Sequence, residues 1–506
     1  MPILGSIIKS AIDLRGALQS EKSPVASQQE VLSNLLDTAK DTAIGKYYGF
    51  SKILASEDIH KNFSQTVPYF DYHQMEAKWW CQTVKGLRDI SWPGTPKYLA
   101  RSSGTTGSSS KKIPVTDEMI EAIQTAGMKQ IGALANFDVS PDFFEKEVLM
   151  LGSSTNLTKQ GPFLEGEISG ISASNIPNWF RGFYKPGEHI ANMDNWDEKV
   201  DLIAKHAKEW DIGALSGIPS WMELMLKKVI AYHDAETIHD VWPNLQIYTT
   251  GGVAFQPYEK SFNQLLSHPI TVIDTYLASE GFIAFQNRPD TTSMKLITDN
   301  GIFFEFVPFK PDYILEDGSI SQDAPALTIG EVEPEVDYIL IISTVSGAWR
   351  YLIGDTVIFT DVERAEIKIT GRTKFFMNVV GSQLSVNKME TALREIEEKF
   401  QTKIPEFTLA AVKIDNEFHH HWYLGTDSKL ETTDVAQALD AILKDANNNY
   451  KVARSKALKG IKVTLVSPSV FHEWNAKQKK KGGQVKMEKV MDEEKFTQWE
   501  QFVKSL

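Results

Sequence analysis

Cysteine is almost missing from this chain: Cys81 is the only one. A lone cysteine excludes an intramolecular disulfide and any multi-cysteine metal site, and it fits a reducing compartment, so a cytoplasmic protein is expected. Long apolar runs are missing as well. No stretch approaches the roughly 18 uncharged apolar residues of a membrane-spanning helix. The start, Met1-Pro2-Ile3-Leu4-Gly5-Ser6-Ile7-Ile8-Lys9, has no basic leader and is broken by Lys9, which argues against a secretory signal. Positive charge is in deficit: 53 Lys and Arg against 66 Asp and Glu leave a net charge of −13. Neither nucleic acid nor an anionic membrane is therefore an expected partner. Common catalytic signatures are absent too. No Walker A loop exists, because Ser109 stands five residues after Gly104 and no Gly-Lys-Ser/Thr follows. The first glycine-rich run is not a G-x-G-x-x-G turn, and Ala214 two positions before Ser216 rules out a serine-hydrolase elbow. His419-His420-His421 resembles a metal tract, but neighbours on a strand point to opposite faces and cannot converge on one ion.

What is present begins with Arg101-Ser102-Ser103-Gly104-Thr105-Thr106-Gly107-Ser108-Ser109-Ser110-Lys111-Lys112-Ile113-Pro114. Hydroxyls, free backbone N–H groups and glycines are what a loop needs to wrap a polyphosphate. Lys111 and Lys112 add cationic charge where a leaving pyrophosphate would gather negative charge. Ser/Gly-rich runs also serve as linkers. This one, however, stands between a strand-like Lys97-Tyr98-Leu99-Ala100 and a helix-like segment from Asp117 to Leu134, the setting of a phosphate loop.

The 506 residues suggest about three folding units. Apolar β-branched runs alternate with helical segments, so the expected fold is mixed α/β. Strands are expected at Glu147 to Gly152, Leu245 to Thr249, Thr271 to Tyr276, Gly301 to Val307, Tyr338 to Ser343 and Thr356 to Thr360. Helices are expected at Glu198 to Trp210, Pro219 to Tyr232 and Gln256 to Leu266. Leu4, Ile7, Ile8, Ala11, Leu14 and Leu18 keep helical spacing and predict an amphipathic helix docked on the body. A boundary is expected near Thr370-Gly371-Arg372-Thr373-Lys374. Beyond it, a helix marked by Met389, Leu393, Ile396 and Phe400, strands at Phe407 to Ile414 and His419 to Gly425, and later helices make a compact α+β unit. The resulting division is a large mixed α/β domain over 1–373 and a smaller α+β domain over 374–506.

Three further segments look like sites: Tyr248-Thr249-Thr250-Gly251-Gly252, Thr275-Tyr276-Leu277-Ala278-Ser279-Glu280-Gly281 and Trp349-Arg350-Tyr351-Leu352-Ile353-Gly354-Asp355. In open α/β sheets ligands bind beyond strand ends. A ring there can stack on adenine, one carboxylate can hold Mg²⁺, and another can accept ribose hydroxyls.

Taken in order with Gly371-Arg372 and a terminal lysine segment, these pieces resemble the adenylate-forming superfamily of acyl-CoA ligases, luciferases and peptide-synthetase adenylation domains. More finely, Ser102 to Thr106, Ile113-Pro114, Ser216-Gly217-Ile218-Pro219-Ser220-Trp221, Ile302 to Pro308 and Trp349 to Asp355 resemble the auxin-responsive promoter (Gretchen Hagen three) family of acyl acid amido synthetases. The resemblance runs from about residue 30 to about residue 490. It implies a ligase using ATP and Mg²⁺. A carboxylic acid attacks the α-phosphorus, pyrophosphate leaves, and an amino acid amine then displaces AMP to give an amide. It implies that Ser102, Ser103, Gly104, Thr105 and Thr106 cradle the β/γ-phosphates, with Thr106 also catalytic. Thr250, Gly251 and Gly252 admit adenine, Tyr276 stacks on it, and Ser279 holds the α-phosphate. Glu280 carries Mg²⁺ and is catalytic, Asp355 binds the ribose hydroxyls, and Arg372 helps. Lys374 stands where related enzymes hinge a mobile C-terminal lid. Lys486 matches the mobile catalytic lysine, although Lys479, Lys480 and Lys481 lie in the same basic run. The implied partners are a small acyl acid and an amino acid, and the chain is expected to act as a monomer. Alternatives are an acyl-CoA ligase of the same superfamily and a nucleotide-binding module without turnover.

Two departures stand out. Better known members read Tyr-Arg-x-Gly-Asp, whereas Leu352 replaces that arginine here, and Arg350 is the expected substitute if the segment is a strand. Leu277-Ala278 stands where Gly-Ser is common. The acyl pocket is expected among Ile176 to Tyr184, at Trp221 and around Phe255.

Overall fold

The computed structural model describes residues 9–10, 22–102, 111–252, 255–315, 319–372, 384, 386–414, 417–446, 450–451, 454, 458–477, 487–491 and 493–506. The described strands, in chain order, are β1 (Tyr98–Ser102), β2 (Lys111–Val115), β3 (Glu147–Leu151), β4 (Thr158–Gln160), β5 (Phe163–Gly166), β6 (Tyr184–Lys185), β7 (Ile212–Gly217), β8 (Ile247–Gly251) and β9 (Thr271–Ala278). They continue as β10 (Gly281–Phe285), β11 (Met294–Leu296), β12 (Ile302–Pro308), β13 (Asp337–Thr344), β14 (Tyr351–Asp361), β15 (Glu366–Arg372), β16 (Glu406–Ile414), β17 (Glu417–Gly425) and β18 (Leu458–Val466). The class is mixed α/β, as the alternation of patterns predicts.

The main sheet has the order β12-β13-β14-β15-β11-β10-β9-β8-β7-β3-β6. One half, from β6 through β3, β7 and β8 to β9, is parallel. The other half is antiparallel, two runs of sequential strands, β9 to β11 and β12 to β15, joined by the pairing of β11 with β15. The parallel half packs on helices such as Pro219–Tyr232, through Met222, Met225, Leu226 and Val229. At its antiparallel end, β12 is buried along its length and would expose a free edge. Gln28, on the helix Pro24–Ala39, closes part of it: its Oε1 accepts from Phe304 N at 2.7 Å and its Nε2 donates to Ile302 O at 2.9 Å. Covering an edge in this way removes a template for intermolecular pairing.

A second sheet, β2-β1-β5-β4, contains the residues flanking the hydroxyl-rich loop. Here the structure corrects the expected strand-to-helix setting. Ile113 pairs with Ala100 and Lys111 with Ser102, so the loop joins two antiparallel strands. The helix Asp117–Ala133 starts only later, capped by the Thr116 hydroxyl on Met119 N at 3.2 Å and carrying Asp117 and Glu118 in its first turn. Its N-terminal charge is thus met by its own residues.

The C-terminal sheet has the order β16-β17-β18. Trp422 and Leu424 face a core with the helices Val386–Phe400 and Thr432–Ala446, while Tyr423 faces Phe471, Phe496 and Trp499 from the helices Pro468–Lys477 and Glu493–Lys504. Of the expected N-terminal helix, Lys9 and Ser10 are helical, and Lys9 Nζ donates to Val139 O at 2.6 Å. The rest of that segment lies outside the described residues. Among the described residues no helix is long and apolar enough to cross a membrane.

Candidate active site

β9 and β14 are not paired, three strands standing between them in the sheet order, yet the Tyr276 hydroxyl donates to Asp355 Oδ2 in a very short bond. Glu280 follows Tyr276 by four residues, and its charge adds to burial in raising the Tyr351 phenol, four residues before Asp355. Three sequence-predicted residues, Tyr276, Glu280 and Asp355, thus belong to one region. All three are buried, at 6%, 8% and 4% exposure. Buried carboxylates near a strand end are the kind of group that recruits a hard cation or polyhydroxyl ligand.

Beside them, Gly251 ends β8 and pairs with Thr275. A Cβ at Gly251 would sit 2.6 Å from Thr275 Oγ1, so a larger residue would break the Thr275 hydroxyl's bond to Thr250 O, 2.8 Å long. Gly252 follows with φ +79, a left-handed conformation that side chains resist. Ser279 and Glu280 form the tip of the β9–β10 hairpin, closed by Ala278 pairing with Gly281. Arg372 pairs with Asp355 in the β14–β15 ladder. Ser102 ends β1 opposite Lys111. Ser103, Gly104, Thr105, Thr106, Lys374, Lys479, Lys480, Lys481 and Lys486 lie outside the described residues.

Two expectations change. Lys112 does not offer its charge to a pyrophosphate: its ammonium pairs with the buried Glu165 at 2.5 Å, and its N–H donates to the Tyr72 hydroxyl at 2.9 Å. Arg350 does not substitute for the arginine replaced by Leu352. It precedes β14 with φ +40, so the strand alternation does not reach it. Its Nε donates to Glu305 Oε2 at 3.0 Å and its Nη1 to the carbonyls of Ser64 and Val67 at 2.7 and 2.6 Å. Its guanidinium carbon also lies 4.0 Å from the Tyr69 ring centroid. Of the aromatic pocket candidates, Phe255 sits against Tyr248 and Phe262, Trp221 lies 4.5 Å from Trp196, and Trp179 is 56% exposed.

Sequence reasoning passed over Asp274. It pairs with Thr250 in the β8–β9 ladder, and burial pushes its carboxyl up to about 6. Alternation supplied a signal, since Asp274 precedes Tyr276 by two and shares its face. The histidine run behaves as strand geometry requires. His420 is buried against Tyr450, whereas His421 bonds Thr464 Oγ1 at 2.9 Å on the other side, and no metal cluster exists among the described residues.

Residues 14–185, 295–372 and 386–495 match, in order, the N-terminal, central and C-terminal domains of the GH3 family. The indole-3-acetic acid-amido synthetase GH3.8 of Oryza sativa subsp. indica is 25% identical over 260 residues, 47% of this chain. The match spans 42% of that protein's length, so the chain aligns with less than half of it. Among solved structures, the acyl acid amido synthetase AtGH3.15 in complex with 2,4-DB superposes with a TM-score of 0.77 at 16% identity, covering 97% of this chain and 96% of that one. A 2-hydroxyisobutyryl-CoA ligase in the postadenylation state with R3-HIB-AMP gives 0.56 at 12% identity, over 95% and 92%. At these identities the likeness is one of fold.

Proposed function

The chain belongs to the GH3 family, and on that premise we propose that it is an ATP-dependent acyl acid amido synthetase. It activates a carboxylic acid as an acyl-adenylate and passes the acyl group to an amino acid amine. The observation that supports this reading is the bond from the Tyr276 hydroxyl to Asp355, with Glu280 four residues beyond Tyr276 at the turn after β9.

In this reading Asp355 accepts the ribose hydroxyls while Tyr276 fixes its carboxylate and lies along the base. Thr250, Gly251 and Gly252 let the backbone approach adenine. Ser102, Ser103, Gly104, Thr105 and Thr106 surround the phosphates, Ser279 meets the α-phosphate, and Arg372 stands across from Asp355. The Glu280 carboxylate, a hard oxygen ligand, suits Mg²⁺, which when bound would neutralise charge on the phosphates. The acid's oxygen attacks phosphorus and pyrophosphate departs. The amine then attacks the acyl carbon, loses a proton, and AMP leaves. Lys486, from the C-terminal unit 374–506, bridges the nucleotide and the attacking carboxylate in the first step.

The test is pyrophosphate release across a library of carboxylic acids, followed by amino acids and coenzyme A offered as competing acceptors. Amide formation is expected. A thioester instead would move the chain to the acyl-CoA ligases, and ATP binding without pyrophosphate from any acid would leave only a binding module. Glu280→Ala or Asp355→Ala is expected to slow adenylation by about 10²-fold or more, the scale of losing one key charge-stabilising group. Near-normal pyrophosphate release in both variants would remove these residues from the site.

A further inference from the structure

Glu167 follows β5 and precedes the helix Ile168–Ser174, yet its side chain makes no cap bond to that helix. It is half-buried, and it meets a hydroxyl rather than a cation. The Ser153 hydroxyl donates to Glu167 Oε2 in a very short bond, and Ser169 Oγ donates to Ser153 Oγ at 3.0 Å. The helix presses on the turn that carries Ser153: a Cβ at Gly170 would stand 2.4 Å from the Ser154 carbonyl oxygen. Two serines from different segments thus steer one oxygen of the carboxylate, and the described residues give its other oxygen no partner. Glu165, two residues earlier, is the contrast, because Lys112 closes it off in an ion pair. A carboxylate held in place and left uncommitted is poised to take a proton from a bound group.

The cluster stands at strand tips. Gly166, next to Glu167, pairs in parallel with Ala100 of β1, and β1 ends two residues later at Ser102. Ser153 comes two residues after the end of β3. There Leu151 pairs in parallel with Gly217 of β7, and Gly217 with Thr250 of β8. Two strand spacings, about 10 Å, therefore separate Leu151 from Thr250. Each of these points is the C-terminal end of a strand in a parallel pair, the side on which α/β sheets bind ligands. The helix after Glu167 belongs to the same region, since its Ile171 packs in one core with Ala100 and Tyr276. Glu167 thus links the end of β1, read above as the start of the phosphate loop, to the strand tips that lead to Gly251.

We propose that Glu167 is the catalytic base of the second half-reaction, taking the proton of the acceptor amine, with Ser153 and Ser169 as its positioning residues. The inference rests on the reading of the chain as an acyl acid amido synthetase. The neutral amine attacks the acyl carbon of the adenylate. The new C–N bond leaves positive charge on nitrogen and negative charge on the acyl oxygen. The nitrogen's proton passes to Glu167, the bond from the acyl carbon to the phosphate oxygen breaks, and AMP leaves with its electron pair. Glu167 then yields the proton to water. Adenylation has no need of this base, because its nucleophile is already a carboxylate.

Glu167→Gln keeps an oxygen for the Ser153 hydroxyl and removes the capacity to take a proton. The acid is the one on which the wild-type chain releases pyrophosphate fastest, and the acceptors are the amino acid it conjugates fastest and hydroxylamine. Single-turnover pyrophosphate release is expected to stay at the wild-type rate, which also reports that the variant is folded. Amide formation with the amino acid is expected to slow by about 10²-fold, the scale of a lost general base. Hydroxylamine, strongly nucleophilic for its low basicity, is expected to lose less. Ser153→Ala is expected to shift the same rates in the same directions by a smaller factor, and it carries the comparison should Glu167→Gln not fold. Pyrophosphate release that falls as far as amide formation, or equal losses with the two acceptors, overturns the inference and leaves the proposed function standing. A wild-type chain that forms no amide from any acid and amino acid overturns both.

Discussion

A guanidinium only 2% exposed is stable because it never lacks a partner, and Arg350 meets a carboxylate, two carbonyls and an aromatic face. Glu305 is the other half of this arrangement. Burial opposes its ionisation, but Arg350 and then His60 outweigh that and hold its carboxyl below the usual range. Breaking a buried pair from one side leaves an uncompensated charge, so Arg350→Met is expected to cost about 3–5 kcal/mol in urea denaturation. ATP affinity of the folded variant should stay unchanged by calorimetry; a large loss would return Arg350 to the nucleotide site. The pH dependence follows from the sign of the shift. A depressed carboxyl contributes stability that is complete above its ordinary value of 4.5 and is lost as the pH falls through the lower folded-state value. Melting curves stepped downward from pH 6 should show this loss, and in Arg350→Met it should begin at higher pH.

At the scale of elements, β17 carries a liability in its middle. Both ring nitrogens of His420 are buried without a hydrogen bond among the described residues. Burial first, and the Arg454 charge second, lower its pKa to about 3, while burial and nearby lysines lower that of His421 to about 4. Histidines held neutral in this way bind more protons once unfolded, so the C-terminal sheet should lose stability as the pH drops from about 6.5 toward those values. His420→Leu is expected to flatten that loss and to be neutral or stabilising at pH 7, since it removes two unsatisfied polar atoms. A steeper acid transition in the variant would contradict this account. Elements with a clean period were legible in sequence. The helix Pro219–Tyr232 matches its expected span, and β16 and β3 differ from theirs by one residue. Where a local rule misled, tertiary context prevailed. Pro114 hid β2, which tolerates proline because it is a sheet edge. β10, buried at every position, shows no alternation to read. Arg350 was misplaced because period-two reasoning assumes extended backbone, and a positive φ ends that assumption. Tyr276, Glu280 and Asp355 could be picked from their motifs, but the bond between Tyr276 and Asp355, 79 residues apart, belongs to the folded sheet.

For the whole molecule, one described contact between the helix Val386–Phe400 and the main body is polar. Arg394 Nη1 donates to Gln256 Oε1 at 3.2 Å, and Tyr258 is raised by burial and then by the charges of Glu406, Glu223 and Glu390. Polar contacts between units of one chain suit relative motion. If one pocket serves two nucleophiles through such motion, Lys374→Pro should impair amide formation more than pyrophosphate release. Equal loss in both steps would discard Lys374 as the pivot. The tie between Arg350 and the Ser64 carbonyl has another consequence, one of timing. The two groups are 286 residues apart. At about 5–20 residues per second, a ribosome delivers the second roughly 15–60 s after the first. Through that interval the early helix around Phe63 waits with its apolar face unburied, so nascent chains released before residue 350 should depend on chaperones far more than the finished protein does.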